Sequence, residues 1–315
     1  RTPPFRPEEV AEMTHATSAG TSLGYGVQRV CKAFDIARSS YYDWRARKAM
    51  DCAPGDLHQV LAKRGPKTEL SDEELLKLIK EDLESSPFKG EGHRKVWARL
   101  RVLRGIRVAP KRVLRVMRQN FLLSPHRVPQ GLQNEHSGKI MTDAPNVMWG
   151  TDGTKVFTLE DGYVWIFSVV DHWNAECLGW NVCKIGNRYQ AAQPVGMAIQ
   201  KVFESACKDV ARGIALRMDH GTQYLSDHFL NQIRFWGLAP SFSFIEQPQT
   251  NGVAERFNRT LKEQVIHGRI FNNIEEVREA VRKFVEVYNE HWRVEKNGFL
   301  TPAEARRAWS NQEAA

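Results

Sequence analysis

The stretch VMWGTDGTKVFTLEDGYVWIFSVVDHWNAECLGWNVC, residues 147–183, decides the fold class. Segments 147–159, 162–171 and 176–183 are short and rich in β-branched and aromatic residues, and turn signals part them at Asp161-Gly162 and around Asp171–Asn174. Such segments read as three consecutive strands, an antiparallel meander. Downstream the pattern alternates. A helix over 188–208 carries Ala192, Val195, Ile199, Val202, Phe203 and Ala206 on one face; then come a strand in IALRMD (214–219), a helix over 225–236 and a short strand in SFSF (241–244). In IEQPQTNGVAERFNRTLKEQ (245–264) a polar loop with Pro248, Asn251 and Gly252 gives way to apolar residues every four positions, Val253, Phe257, Leu261 and Val265, which marks a helix start. The order predicts an α/β fold, a mixed five-stranded sheet with flanking helices over 144–270. Closing helices over 271–315 have Ile274, Val277, Val281, Phe284 and Tyr288 inward, and TPAE starts the last, with Thr301 capping and Glu304 completing the box.

The half before the sheet reads as all-α. Residues 1–22 mix prolines with small polar residues and are expected to be weakly ordered apart from a short helix over 7–14. Over 23–50, Val27, Val30, Cys31 and Phe34 form one apolar stripe, DIARSS breaks it, and Tyr41 and Trp44 anchor a second helix capped by a serine. Arg38, Ser39, Tyr42 and Arg45 point outward. A helix-turn-helix entering the DNA major groove and an ordinary helical hairpin both fit this pattern. After a linker (51–69), a basic helical domain spans 70–125: Ser71 and Glu74 have capping-box spacing ahead of Leu75, Ile79 and Leu83, and helices follow over 92–104 and 110–120. Their faces Val96, Trp97, Leu100, Leu103 and Val113, Leu114, Met117 should pack and leave the arginines outside. A second linker covers 126–143.

Between His93 and Asn134 lie eleven Lys or Arg residues and no Asp or Glu. A cationic surface that binds phosphate backbone is expected, with Arg94, Lys95, Lys111, Arg112 and Arg115 among its contacts. The whole chain of 315 residues has 45 Lys+Arg against 37 Asp+Glu, a net charge of +8 and a pI of 9.3, which permits nucleic-acid binding without proving it. Five cysteines lack paired or zinc-like spacing, so a reduced, cytoplasmic setting is expected; nothing in the sequence is long and apolar enough to cross a membrane. The chain opens on Arg1 rather than Met, as a trimmed form or a piece of a longer product does.

Three acids sit at element ends: Asp152 in the first strand, Asp219 after the fourth, Glu255 in the first turn of the helix after the fifth. Each also suits a structural role, the aspartates in turns and the glutamate at a positive helix terminus. Drawn together they repel, and a divalent cation removes that conflict; hard carboxylate oxygens suit Mg²⁺ or Mn²⁺. Beside a basic helical half, the joint reading as a metal-dependent phosphate site prevails.

These blocks carry a resemblance. TD in the first strand, DHGTQY after the fourth and QPQTNGVAERFNRTLK resemble the signature blocks of the retroviral-integrase-like, ribonuclease H-like catalytic core, and the thirty-five residues between Asp219 and Glu255 match that superfamily's spacing. VCKAFDIARSSYYDWRAR, GHRKVWARLRVLRGIRVAPKRVLRVMRQNFLL and LTPAEARRAW are similar to bacterial insertion-sequence transposases made from two overlapping frames, this chain matching the second frame. The resemblance implies a DDE transposase: Asp152, Asp219 and Glu255 hold two Mg²⁺ ions, with Mn²⁺ substituting, and catalyse nicking and 3′-hydroxyl strand transfer. It implies as partners the inverted-repeat DNA ends and target DNA, further copies of the chain, and the first-frame product as fusion or partner, in a bacterial, nucleoid-associated setting. Lys262, seven residues after Glu255, returns almost to its azimuth about 10 Å along the helix; with Arg259 it is expected to hold DNA near the metals. The other readings are a ribonuclease H-like nuclease that only hydrolyses and a decayed DNA-binding regulator.

Overall fold

The computed structural model describes residues 7–18, 20, 23–51, 70–123, 140–243 and 251–313, and divides into the units Arg1–Thr68 and Glu69–Ala315. In the first unit α1 (Pro7–His15), α2 (Gly26–Ala33) and α3 (Arg38–Asp51) pack around buried Val10, Val30, Cys31 and Tyr41. The Thr14 and Tyr41 hydroxyls share a hydrogen bond of 3.0 Å in that core, so α1 supplies a third wall to the expected helix pair. Asp35 adopts a left-handed φ of 51°, and the Ala37 carbonyl accepts the Ser40 N–H at 3.0 Å. The cap position therefore falls on Ala37 rather than a serine; Ser39 and Ser40 lie inside the first turn.

The second unit opens with α4 (Asp72–Ser85), α5 (His93–Arg104) and α6 (Pro110–Gln119). The capping box forms: Ser71 Oγ accepts the Glu74 N–H at 3.1 Å, and Glu74 accepts the Ser71 N–H at 2.8 Å. Leu75, Ile79, Val96, Leu100, Val113, Val116 and Met117 make the core. Leu103, expected on the packed face, is 62% exposed in the last turn of α5.

The meander follows as β1 (Met148–Thr158), β2 (Gly162–Asp171) and β3 (Cys177–Cys183), with Gly162 in its turn at φ 69°. Next come α7 (Arg188–Phe203), β4 (Ala215–Met218), the one-turn α8 (Thr222–Leu225), α9 (Asp227–Phe235), β5 (Ala239–Phe242) and α10 (Gly252–Leu261). A π-helical turn (Lys262–Ile266) prolongs α10, and α11 (Ile274–His291) and α12 (Pro302–Glu313) close the chain. The sheet order is β3-β2-β1-β4-β5, antiparallel through the meander and parallel from β1 to β5. α7 and α9 pack with Trp149, Phe167 and Leu216 on one face, α10 and α11 with Val164, Ile166 and Val170 on the other. This mixed sheet, covered on both faces, is the ribonuclease H-like arrangement. Helix α7 stops short of the expected residue 208 because Glu204 turns left-handed at φ 56°, leaving Ala206 exposed. The Thr301–Glu304 box forms, and α11 buries the five residues expected of it. Helix α11 shares a core with α10 and β2.

Among the described residues no helix is long and apolar enough to cross a membrane. Cys31, Cys177, Cys183 and Cys207 are free thiols, while Cys52 lies outside the described residues. Helix α7 crosses β3 so closely that a Cβ on Gly179 would stand 2.1 Å from the Pro194 carbonyl oxygen. Backbone cannot yield there as a side-chain tip can, so Gly179→Ala is expected to cost about 3 kcal/mol, read as a lower denaturant midpoint at unchanged slope.

Candidate active site

Asp152 lies midway along β1, and the register of the sheet decides what stands beside it. Met148, Trp149 and Gly150 pair in parallel with Ala215, Leu216 and Arg217, and β4 ends one residue later. Carried two residues past the last pair, the same register sets Asp219 opposite Asp152 and on the same face. Asp219 is exposed, and its Oδ1 accepts the Gly221 N–H at 2.8 Å.

Helix α10 reaches this edge through two asparagines, Asn251, which the sequence reading took only as a loop residue, and Asn258, which it passed over. Asn251 Nδ2 donates to the Thr151 carbonyl at 3.0 Å, and Asn258 Nδ2 donates to Asp152 Oδ2 at 2.8 Å. Asn258 also accepts from the Ser168 hydroxyl at 3.2 Å, so one amide ties α10 to both β1 and β2. Glu255 lies between them, four residues after the first and three before the second, and so shares their side of the helix. The spacing N-x6-N around the glutamate was the available signal. Gly150 makes the approach possible: a Cβ there would lie 2.8 Å from both Asn251 Oδ1 and His172 Nε2. His172 is buried, and burial, with Lys296 and Arg217 nearby, pulls its pKa down to about 4, so it stays neutral near pH 7.

Burial raises the Asp152 pKa against the hydrogen bonds from Asn258 and the Gly153 N–H; the Asp219 charge adds to the rise and Lys262 opposes it. Burial and then the Asp152 charge raise Glu255, with Arg259 opposing. Asp152 thus feels Asp219, and Glu255 feels Asp152: the three acids share one electrostatic field. Among the described residues no group of three or more acids, histidines or cysteines is already closed around a metal position. As donors the three acids nonetheless suit a hard divalent cation, which would cancel their repulsion. Lys262 opens the π-helical turn but keeps φ −59° and ψ −48°, so its helical register with Glu255 holds. Residues 244–250, including Pro248 of the expected loop beside the site, lie outside the described residues.

The other expected DNA contacts divide. Arg38, Ser39, Tyr42 and Arg45 are all exposed on α3, while Tyr41 is buried. The arginine run is not the uniform cationic surface expected of it, because acids from outside the run neutralise much of it. Arg112 and Arg115 both pair with Asp72 at 2.9 and 2.8 Å, Arg104 with Glu81 at 2.8 Å, and Arg94 with Glu295 at 2.8 Å. Arg99 is buried between Asp82 (2.7 Å) and Glu91 (2.5 Å), and the Lys95 ammonium rests on the Trp292 ring. Arg101, Arg107, Lys111 and Arg118 make no ion pair among the described residues; Arg127 lies outside them.

With this geometry in hand, comparison with known proteins is informative. The HTH-like domain family matches residues 70–130 and the Integrase core domain family residues 237–302. The transposase for insertion sequence element IS629 of Shigella sonnei is 26% identical over 297 residues, 90% of this chain and 93% of that protein. Transposase InsD for insertion element IS2 of Escherichia coli is 30% identical over 183 residues, 56% of this chain, which spans 60% of InsD. Among solved structures, a chain of the simian T-cell lymphotropic virus intasome in complex with a PP2A regulatory subunit overlaps 62% of this chain and 69% of its own length at 17% identity and a TM-score of 0.41. The two domain families and the two transposases agree: the chain is similar to insertion-sequence transposases with an integrase-like core.

Proposed function

We propose that this chain is a DNA transposase that uses Asp152, Asp219 and Glu255 as its catalytic carboxylates. The observation that carries the reading is the Asp152 carboxylate itself: held by Asn258, set by strand register beside Asp219, and sharing its field with Glu255. The three would hold two Mg²⁺ ions, or Mn²⁺, which when bound supply Lewis-acid polarisation of a phosphodiester and a more acidic attacking hydroxyl. The chain's own part is position and charge. Asn258 orients Asp152, and Gly150 and Asn251 bring Glu255 to the strand. Lys262 and Arg259, two turns and one turn beyond Glu255, would bind phosphates of the terminal DNA. A water at the element's end would displace one strand and free a 3′-hydroxyl; that hydroxyl would then attack a second phosphodiester, so one such bond is exchanged for another and no nucleotide is consumed. Phosphate contacts would come from the exposed face of α3 and from Lys111, Arg101, Arg107 and Arg118, which need break no ion pair to bind.

Glu255→Gln should lower nicking of labelled end DNA roughly a thousandfold, several kcal/mol at 1.36 kcal/mol per decade, with DNA affinity unchanged. Joining from a pre-nicked end separates transfer from hydrolysis: an enzyme that nicks but never joins such an end is a nuclease only. Folded Asp152 and Glu255 hold protons more tightly than the unfolded chain does, so the metal-free protein should lose stability as pH rises from the ordinary carboxylate range through their raised pKa values. Asp152→Asn removes the Asp152 share of that loss: in EDTA at pH 7 its melting midpoint should exceed the parent's, while Mg²⁺ should raise the parent's midpoint more than the variant's. For DNA binding, Lys111→Ala should reduce the slope of log K against log salt by about one, and Arg112→Ala by less, since Arg112 already has an anion.

A further inference from the structure

The DNA-binding helical domain and the catalytic layer meet at a seam that neither function explains. Its centre is the α4–α5 connection. Phe88, alone of that domain, is buried in the cluster formed by β1, β2, α10 and α11, its ring meeting that of Trp292 in a T-shaped contact at 4.8 Å between centroids. Next to it the Lys89 N–H donates to Gln264 Oε1 at 3.0 Å, and Gln264 Nε2 donates to the Lys89 carbonyl at 2.8 Å, so one amide closes a two-bond clamp. Arg94 grips both Glu295 oxygens at 2.8 Å, and Trp97 meets Phe299 edge to face at 5.4 Å. The connection is itself stiffened: Ser86 Oγ donates to Glu91 at 2.6 Å, and buried Glu91 holds Arg99 of α5.

Gln264 lies in the π-helical turn that continues α10, two residues past Lys262 and nine past Glu255, about 13 Å along one rod at 1.5 Å per residue. The clamp therefore joins the helical domain to the element that carries the proposed active-site glutamate. We propose that Gln264 and Phe88 are positioning residues: they fix the distance between DNA held on the helical domain and the carboxylates, so that one phosphodiester, rather than several neighbours, is presented for nicking. The inference rests on the assignment of Glu255 and Asp152 to catalysis.

The test uses the full chain, Mg²⁺ and a labelled duplex taken from the DNA flanking its gene, with nicks mapped at single-nucleotide resolution. Gln264→Ala, isosteric Gln264→Glu, which cannot donate to the Lys89 carbonyl, and Phe88→Leu are compared with the parent. Each is expected to melt cooperatively and bind the duplex within about twofold of the parent. Nicks should spread from one phosphate to its neighbours, and the nicking rate should fall about tenfold, in keeping with the cost of misplacing a reacting group by an ångström. Folded variants that cut the same single phosphate at the parental rate overturn the clamp while leaving the catalytic assignment intact. A parent that fails to nick the duplex overturns both.

Discussion

Asn251 and Asn258 bond α10 to β1 across a gap kept open by Gly150, and most of the site's geometry depends on that attachment. A helix start presents unsatisfied N–H groups and a positive end, which draws a carboxylate but says nothing of where the helix lies. The two amides supply the place. Because they flank Glu255 at four and three residues, fixing them fixes the glutamate's azimuth, and Lys262 follows from the same helical repeat. Ser168 extends the bond network into β2, so the Asp152 carboxylate is oriented from two strands and a helix at once.

The charges of the helical half tell a different story from its composition. A run of arginines without acids looks like an exposed cationic stripe, yet a fold can bring acids to it from anywhere in the chain. Asp72, Glu81, Asp82 and Glu91 precede the run and Glu295 comes from the far end of the chain. Arg99 shows the extreme: between two carboxylates its guanidinium is a core group, where losing one partner typically costs about 3–5 kcal/mol. What is left free is a smaller set of cations, and that set, rather than the count, governs how DNA is met.

Much of this was legible in the sequence. Local rules with strong periods succeeded: the meander from β-branched runs and turn residues, both capping boxes, the five inward residues of α11, and Asp219 and Glu255 at element ends, whereas Asp152, expected at one too, stands midway along β1. The failures have a common cause in non-local contact. Leu103 has the spacing of a core residue but stands where α5 has no neighbour to cover it. The end of α7 was set by one left-handed residue, and the cap of α3 falls on Ala37 rather than on a serine. The asparagines were in plain view, yet a neutral amide carries no charge signal, and its role shows only when the strand it bonds is beside it. Three carboxylates in the right order likewise do not say how near they stand without a cation.

The parallel register between β1 and β4 has one more consequence. Side chains alternate faces along a strand, so Asp152 and Asp219 share a face only while the residues between each acid and the Met148–Ala215 pair keep the same parity. A single inserted or deleted residue in either short run would swing one aspartate through the sheet into the layer of α7 and α9, whereas a loop elsewhere could lengthen with little effect. On the proposed assignment, two stretches of five residues, Met148–Asp152 and Ala215–Asp219, are thereby closed to change in length.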